Sequence, residues 1–104
     1  MVTFEKVLEI FHDYLQRDPC IEVIHTKWGY ARLFCEPPYL NEIEAVLCRT
    51  PSELFEELLE TCLAAQEYRL TKNHELSAQE AGRDLEELQN AFRRRLQEAE
   101  KTDD

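Results

Sequence analysis

Four cysteines and three histidines are the residue types most apt to do chemistry in this chain of 104 residues. Cys20, Cys35, Cys48 and Cys62 follow one another at intervals of 15, 13 and 14 residues. There is no Cys-x-x-Cys, and His12, His25 and His74 lack the paired spacing of a zinc site, so no metal is expected. Each cysteine sits among apolar neighbours. With no export signal ahead of them, the expectation is four reduced thiols in the core, although four cysteines admit two disulfides in three ways. A thiol nucleophile needs a base beside it, and Cys35 with His25 is the pair a hairpin can bring within reach. Ordinary strand packing is the plainer reading of both residues.

The other catalytic residue types are poorly placed. Ser52 and Ser77 both open helices, and neither stands on a nucleophile elbow. Two glycines, Gly29 and Gly82, cannot build a phosphate-cradling loop. Carboxylate pairs such as Glu56 with Glu60 are helix-surface neighbours that an acidic composition produces unaided. No catalytic residue and no cofactor site is expected, and the reading is of a protein that is not an enzyme.

Charge carries more. Twenty-two Asp and Glu oppose twelve Lys and Arg, a net charge of −10. The second half holds most of the excess, with fourteen acids against seven bases after residue 50. Such a chain repels phosphate backbones and is drawn to basic surfaces, so direct nucleic-acid binding is not expected. No apolar run approaches the ~18 residues of a membrane span. "MVTFEKVLEIF" interleaves acids with its apolar residues and is not a secretory signal, which points to a cytoplasmic protein.

The elements that would position these groups can be read from periodicity. Phe4, Val7, Leu8, Phe11 and Leu15 make one apolar stripe, predicting a helix over 3–17 with Thr3 as N-cap and Pro19 as its stop. "CIEVIHT" (20–26), "YARLFCE" (30–36) and "EIEAVLC" (42–48) read as strands. "KWG" joins the first two as a short bulged loop in which Gly29 takes a positive φ. Pro37 and Pro38 belong between strands. "TPSE" is a capping box that opens a helix from Thr50 to about Thr71, and "SAQE" at 77–80 opens another. Leu85, Leu88, Phe92 and Leu96 give that last helix a narrow, coiled-coil-like stripe. The order α-β-β-β-α-α predicts one α+β domain over 1–104. Its body is a helix, a three-stranded antiparallel meander and a second helix within 1–76. The C-terminal helix, 77–101, either folds back or projects and forms a homodimer.

Alternation then divides the sheet. Ile21, Val23, Ala31, Leu33, Ile43, Ala45 and Leu47 are assigned to a core face. Cys20, Ile24, Tyr30, Phe34, Val46 and Cys48 fall on the other, broken by Glu22, Arg32, Glu36 and Glu44. Its aromatics Tyr30 and Phe34, with Trp28 at the edge and Tyr39 in the following loop, resemble the anchors of protein interfaces. A helix covering that face is the plainer reading. A second candidate surface is acidic: Glu53, Glu56, Glu57 and Glu60 on one helix, and Asp84 and Glu87 on the next, can present carboxylates as a DNA mimic does. A solvated helix surface explains the same residues.

At "TFEKVLEIFHDYL", "GY" (29–30) and "LCRTPSELFEELLE" the chain resembles small acidic proteins encoded on conjugative and other mobile elements of gut Firmicutes. The resemblance spans residues 3–76 and rests on structural motifs. It implies no activity, cofactor or catalytic residue. It does imply a setting in which small proteins regulate transfer or blunt host defences such as restriction and CRISPR nucleases. The expectation is therefore a protein-binding accessory or inhibitor, of anti-restriction or anti-CRISPR type, acting on a basic nucleic-acid-handling protein. The other expectation is a self-associating structural domain with no foreign target.

Overall fold

The computed structural model describes residues 2–35, 43–72 and 76–102. The elements run α1 (Phe4–Ile10), α2 (His12–Arg17), β1 (Ile21–Thr26), β2 (Gly29–Phe34), β3 (Glu44–Cys48), α3 (Pro51–Thr71) and α4 (Ala78–Thr102). This is the expected α+β order, with an antiparallel sheet β1-β2-β3. Contacts gather into two units, one spanning Val2–Leu58 and one from Leu59 onward.

In the first unit the N-terminal stripe folds as two short helices rather than one. Thr3 Oγ1 caps α1 by accepting from the Lys6 amide at 3.2 Å. Phe11 leaves helical geometry, with φ −97° and ψ 9°. The i to i−4 bonds nevertheless pass through it, from Phe11 N to Val7 O and from Leu15 N to Phe11 O. Phe11 is fully buried, and its ring centroid lies 5.5 Å from that of Phe55 on α3. Pro19 and Asp18 then end α2. Asp18 Oδ1 accepts from the Cys20 amide and Oδ2 from the Tyr14 hydroxyl, so one carboxylate holds the turn into β1.

α3 opens with the expected box, shifted in one arm. Thr50 Oγ1 accepts from the Glu53 amide at 3.1 Å, while Glu53 Oε2 reaches back one residue further, to the Arg49 amide at 2.8 Å. Leu54, Phe55 and Leu58 are fully buried along its first turns. In the second unit Ser77 Oγ caps α4 by accepting from the Glu80 amide. Leu59, Cys62, Ala81 and Phe92 are buried there. Leu85, Leu88 and Leu96 are half-buried, so the expected seam along α4 is partly covered.

Candidate functional site: an uncovered sheet face

The sheet's register corrects the sequence reading of its faces. The β1–β2 loop is Lys27-Trp28 alone: Gly29 is the first residue of β2 and pairs with Thr26. A three-residue loop would have set Thr26 against Tyr30. One residue of slip turns every side chain of β2 over relative to β1. Directly opposed residues share a face, so Ile21 and Val23 lie with Phe34 and Arg32, and His25 lies with Tyr30. β3 continues the rows with Glu44, Val46 and Cys48.

That side is the covered one. Tyr30 is half-buried between the Phe4 ring, 4.7 Å away, and the stacked His25 ring, also at 4.7 Å. Arg32 is buried with 4% exposure. Its Nη2 donates to Glu44 Oε1 at 2.6 Å and to Glu57 Oε1 at 2.8 Å, and its Nε donates to Glu57 Oε1 at 3.1 Å. Burial alone would lower the Arg32 pKa. The hydrogen bonds and charges of Glu44 and Glu57 reverse that and hold it above its ordinary value. Arg32 and Glu44, read from sequence as marks of a wetter face, instead form with Glu57 an ion triad joining the sheet to α3, in which Arg32 is buried while Glu44 stays exposed. Cys48 closes the same side, where burial, aided by the charges of Glu57 and Glu53, pushes its thiol pKa up.

The opposite side carries Ile24, Ala31 and Leu47 in one row and Glu22, Leu33 and Ala45 in the next. These include four of the seven residues expected to form the core face. Ala31 stays buried and Leu33 half-buried, but Leu47 is 38% exposed, Ile43, just before β3, 58%, and their neighbour Ile24 40%. Trp28, at the tip of the β1–β2 hairpin, is 68% exposed. Its amide donates to Thr26 Oγ1, and the Thr26 hydroxyl donates to Gly29 O, so the tip that presents it is a hydrogen-bonded turn. Lys27 Nζ stands 5.8 Å from the indole centroid. Gly29 permits this turn, with φ at +140° and no room for a β-carbon, which would strike the Cys48 carbonyl.

At the other end the same side opens into a cleft of about 340 Å³ lined by Leu15, Asp18, Cys20, Leu33, Cys35 and Ile43 among others. All four cysteines are thiols. Only Cys48 and Cys62 are core residues; Cys20 and Cys35 are half-buried, which corrects the expectation of four core thiols. Cys35 and His25 do not meet, since Cys35 opens on this cleft and His25 faces the other way, against Tyr30.

The remaining candidate residues are dispersed. Phe34 is half-buried on the covered side, and Tyr39 lies outside the described residues. Glu53 is engaged in the α3 cap and Glu57 in the Arg32 triad. Glu56 and Glu60 on α3, and Asp84 and Glu87 on α4, are exposed. Sequence reasoning had placed Ile24 on the candidate binding face but missed Leu33 and Leu47 beside it, because their place followed from a loop one residue shorter than supposed.

Among the described residues no three His, Cys, Asp or Glu side chains converge as metal ligands, and no helix is long and apolar enough to cross a membrane. Compared with protein-family models, with curated proteins and with solved structures, the chain matches none.

Proposed function

We propose that this protein is a non-enzymatic binding module that engages a protein partner through the uncovered sheet face and Trp28. One observation carries the reading: a sheet side with Ile24, Leu47 and Ile43 exposed, and an exposed tryptophan on the well-hydrogen-bonded turn at the tip of the same hairpin. An apolar, aromatic-tipped surface of this kind is what the desolvated centre of an interface requires. The partner is a basic protein. A net charge of −10 repels a second copy and attracts a positively charged surface, with Glu56, Glu60, Asp84 and Glu87 supplying carboxylates for steering. An inhibitor of a nucleic-acid-handling protein is the specific form of this proposal. Competition with DNA would come from the acidic residues and affinity from the sheet face.

The test is affinity capture from a bacterial lysate at low and high salt with wild type and Trp28→Ala. The captured protein is then identified, purified and titrated. The proposal expects a basic protein whose affinity falls by about 30-fold with Trp28→Ala, as for an aromatic anchor contributing ~2 kcal/mol, and falls again as salt rises. Unchanged binding by the variant would reject the sheet face. Sedimentation of the chain alone tests the other occupant, because a dimer through this face or through α4 would replace the foreign-partner reading.

A further inference from the structure

The geometry points to Cys20 and Cys35 as a reversible dithiol–disulfide pair, a modification site distinct from the binding reading and independent of it. Three observations converge. The Cys35 amide donates to the Cys20 carbonyl at 2.9 Å, one step beyond the last ladder pair, Ile21–Phe34. Cys20 ends the turn that leads into β1 and Cys35 follows β2, so the two stand opposite each other one position past the last ladder pair. Opposed residues of antiparallel chains hold their α-carbons about 4.5–5.5 Å apart, within the α-carbon span of a disulfide. Both residues also line the same open cleft, so a small oxidant has access to them.

The surroundings favour this pairing over others. Cys48 and Cys62 are buried. Cys48 stands in the row of Tyr30 on the covered side, away from the cleft. The Cys20 amide is fixed by Asp18 Oδ1 at 2.9 Å, which anchors one end of the pair while the ladder anchors the other. A bridge here would tie the start of β1 to the end of β2 without altering the register.

The reaction balances with hydrogen peroxide as oxidant. One thiolate attacks the peroxide, the O–O bond breaks, and a sulfenic acid and one water form. The second thiol attacks that sulfur, the S–S bond forms, and a second water leaves. Two electrons pass from the two sulfurs to the peroxide. Thiol exchange with a reductant such as dithiothreitol reverses the step.

The test treats the native chain with stoichiometric hydrogen peroxide, then alkylates it and maps it under non-reducing conditions. The expected product is a monomer lighter by about 2 Da, the two thiol hydrogens, with a single Cys20–Cys35 cross-linked peptide that dithiothreitol removes. Two thiols per molecule should vanish from titration with an aromatic disulfide reagent, while Cys48 and Cys62 stay reduced. Cys20→Ser and Cys35→Ser, each checked for a wild-type circular dichroism spectrum, should leave the partner cysteine to accumulate as sulfenic acid, trappable with dimedone. Intermolecular dimers, a Cys20 or Cys35 bridge to Cys48 or Cys62, over-oxidation of the wild type without a bridge, or no reaction would each overturn the assignment.

Discussion

Replacing Glu57 should cost far more than replacing Glu44, although both carboxylates meet the same guanidinium. Arg32 is buried beneath the sheet, and two of its three described carboxylate bonds go to Glu57. The Glu57 side chain is 22% exposed and that of Glu44 65%. Charge-assisted hydrogen bonds contribute roughly 1.5–3 kcal/mol, and breaking a buried ion pair costs about 3–5 kcal/mol when a charge is left uncompensated. Glu44 remains to compensate Arg32, so Glu57→Ala should cost about 2–3 kcal/mol, below that upper range. The bond to Glu44 is short, but its carboxylate is hydrated, so Glu44→Ala should cost about 1 kcal/mol or less. Urea unfolding followed by circular dichroism measures both. With a slope of ~1–3 kcal/mol per molar, Glu57→Ala should lower the midpoint by about 1–2 M. The double replacement Arg32→Met with Glu57→Leu removes the charges together and should recover most of the loss. Equal costs at Glu57 and Glu44, or a Glu57→Ala variant within about 0.5 kcal/mol of wild type, would refute the claim that the Arg32–Glu57 pair is internal.

Other consequences follow from single contacts. Gly29→Ala should destabilise by at least about 2–3 kcal/mol, since the φ is disfavoured for alanine and the new methyl would strike the Cys48 carbonyl and Arg49 backbone; thermal unfolding would show it. Gly82→Ala should do the opposite, raising stability by up to about 1 kcal/mol, because Gly82 lies inside α4 with open space where the methyl would go. The raised Cys48 pKa gives stability a defined pH dependence. Below the unfolded thiol's pKa, about 8.5, both states are protonated and stability is intact. Above it the unfolded state ionises first and stability falls, so Cys48→Ala should flatten the alkaline loss of the urea midpoint relative to wild type. Trp28 should emit at long wavelength and be quenched readily by iodide at all concentrations, with Trp28→Ala unfolding at the wild-type urea midpoint.

Much of the fold is local chemistry and was legible as such. Thr3, Thr50 and Ser77 cap helices because their hydroxyls satisfy amides that have no carbonyl partner, a requirement visible in three or four residues. Element order and antiparallel topology follow from periodicity and short connections. The candidate site was less legible, for one physical reason. Which residues face outward depends on whether the hairpin loop is Lys27-Trp28 or Lys27-Trp28-Gly29, and both lengths are compatible with a glycine of positive φ. The longer loop places Ile21 with Ala31 and Leu33; the shorter, observed one places Ile21 with Arg32 and Phe34. Arg32 reinforced the error, because a charged residue on a strand ordinarily marks the wet side. Its partners, Glu44 and Glu57, stand 12 and 25 residues away, beyond the reach of local pattern. Trp28 was the exception: its place beside a turn glycine already set it at an edge, and it is exposed.

Neighbouring residues on β3 provide the most direct test of the uncovered face. Val46 lies beside Arg32 on the covered side, and Leu47 beside Ala31 on the outward side. The urea midpoints of Val46→Lys and Leu47→Lys should therefore diverge. The account predicts that Leu47→Lys unfolds close to wild type. Val46→Lys should lose about 2 kcal/mol or more by placing a second cation against a buried arginine. The reverse order, with Leu47→Lys the damaging change, would mean that Ile24, Leu33 and Leu47 form the core and that no open sheet face exists to bind a partner.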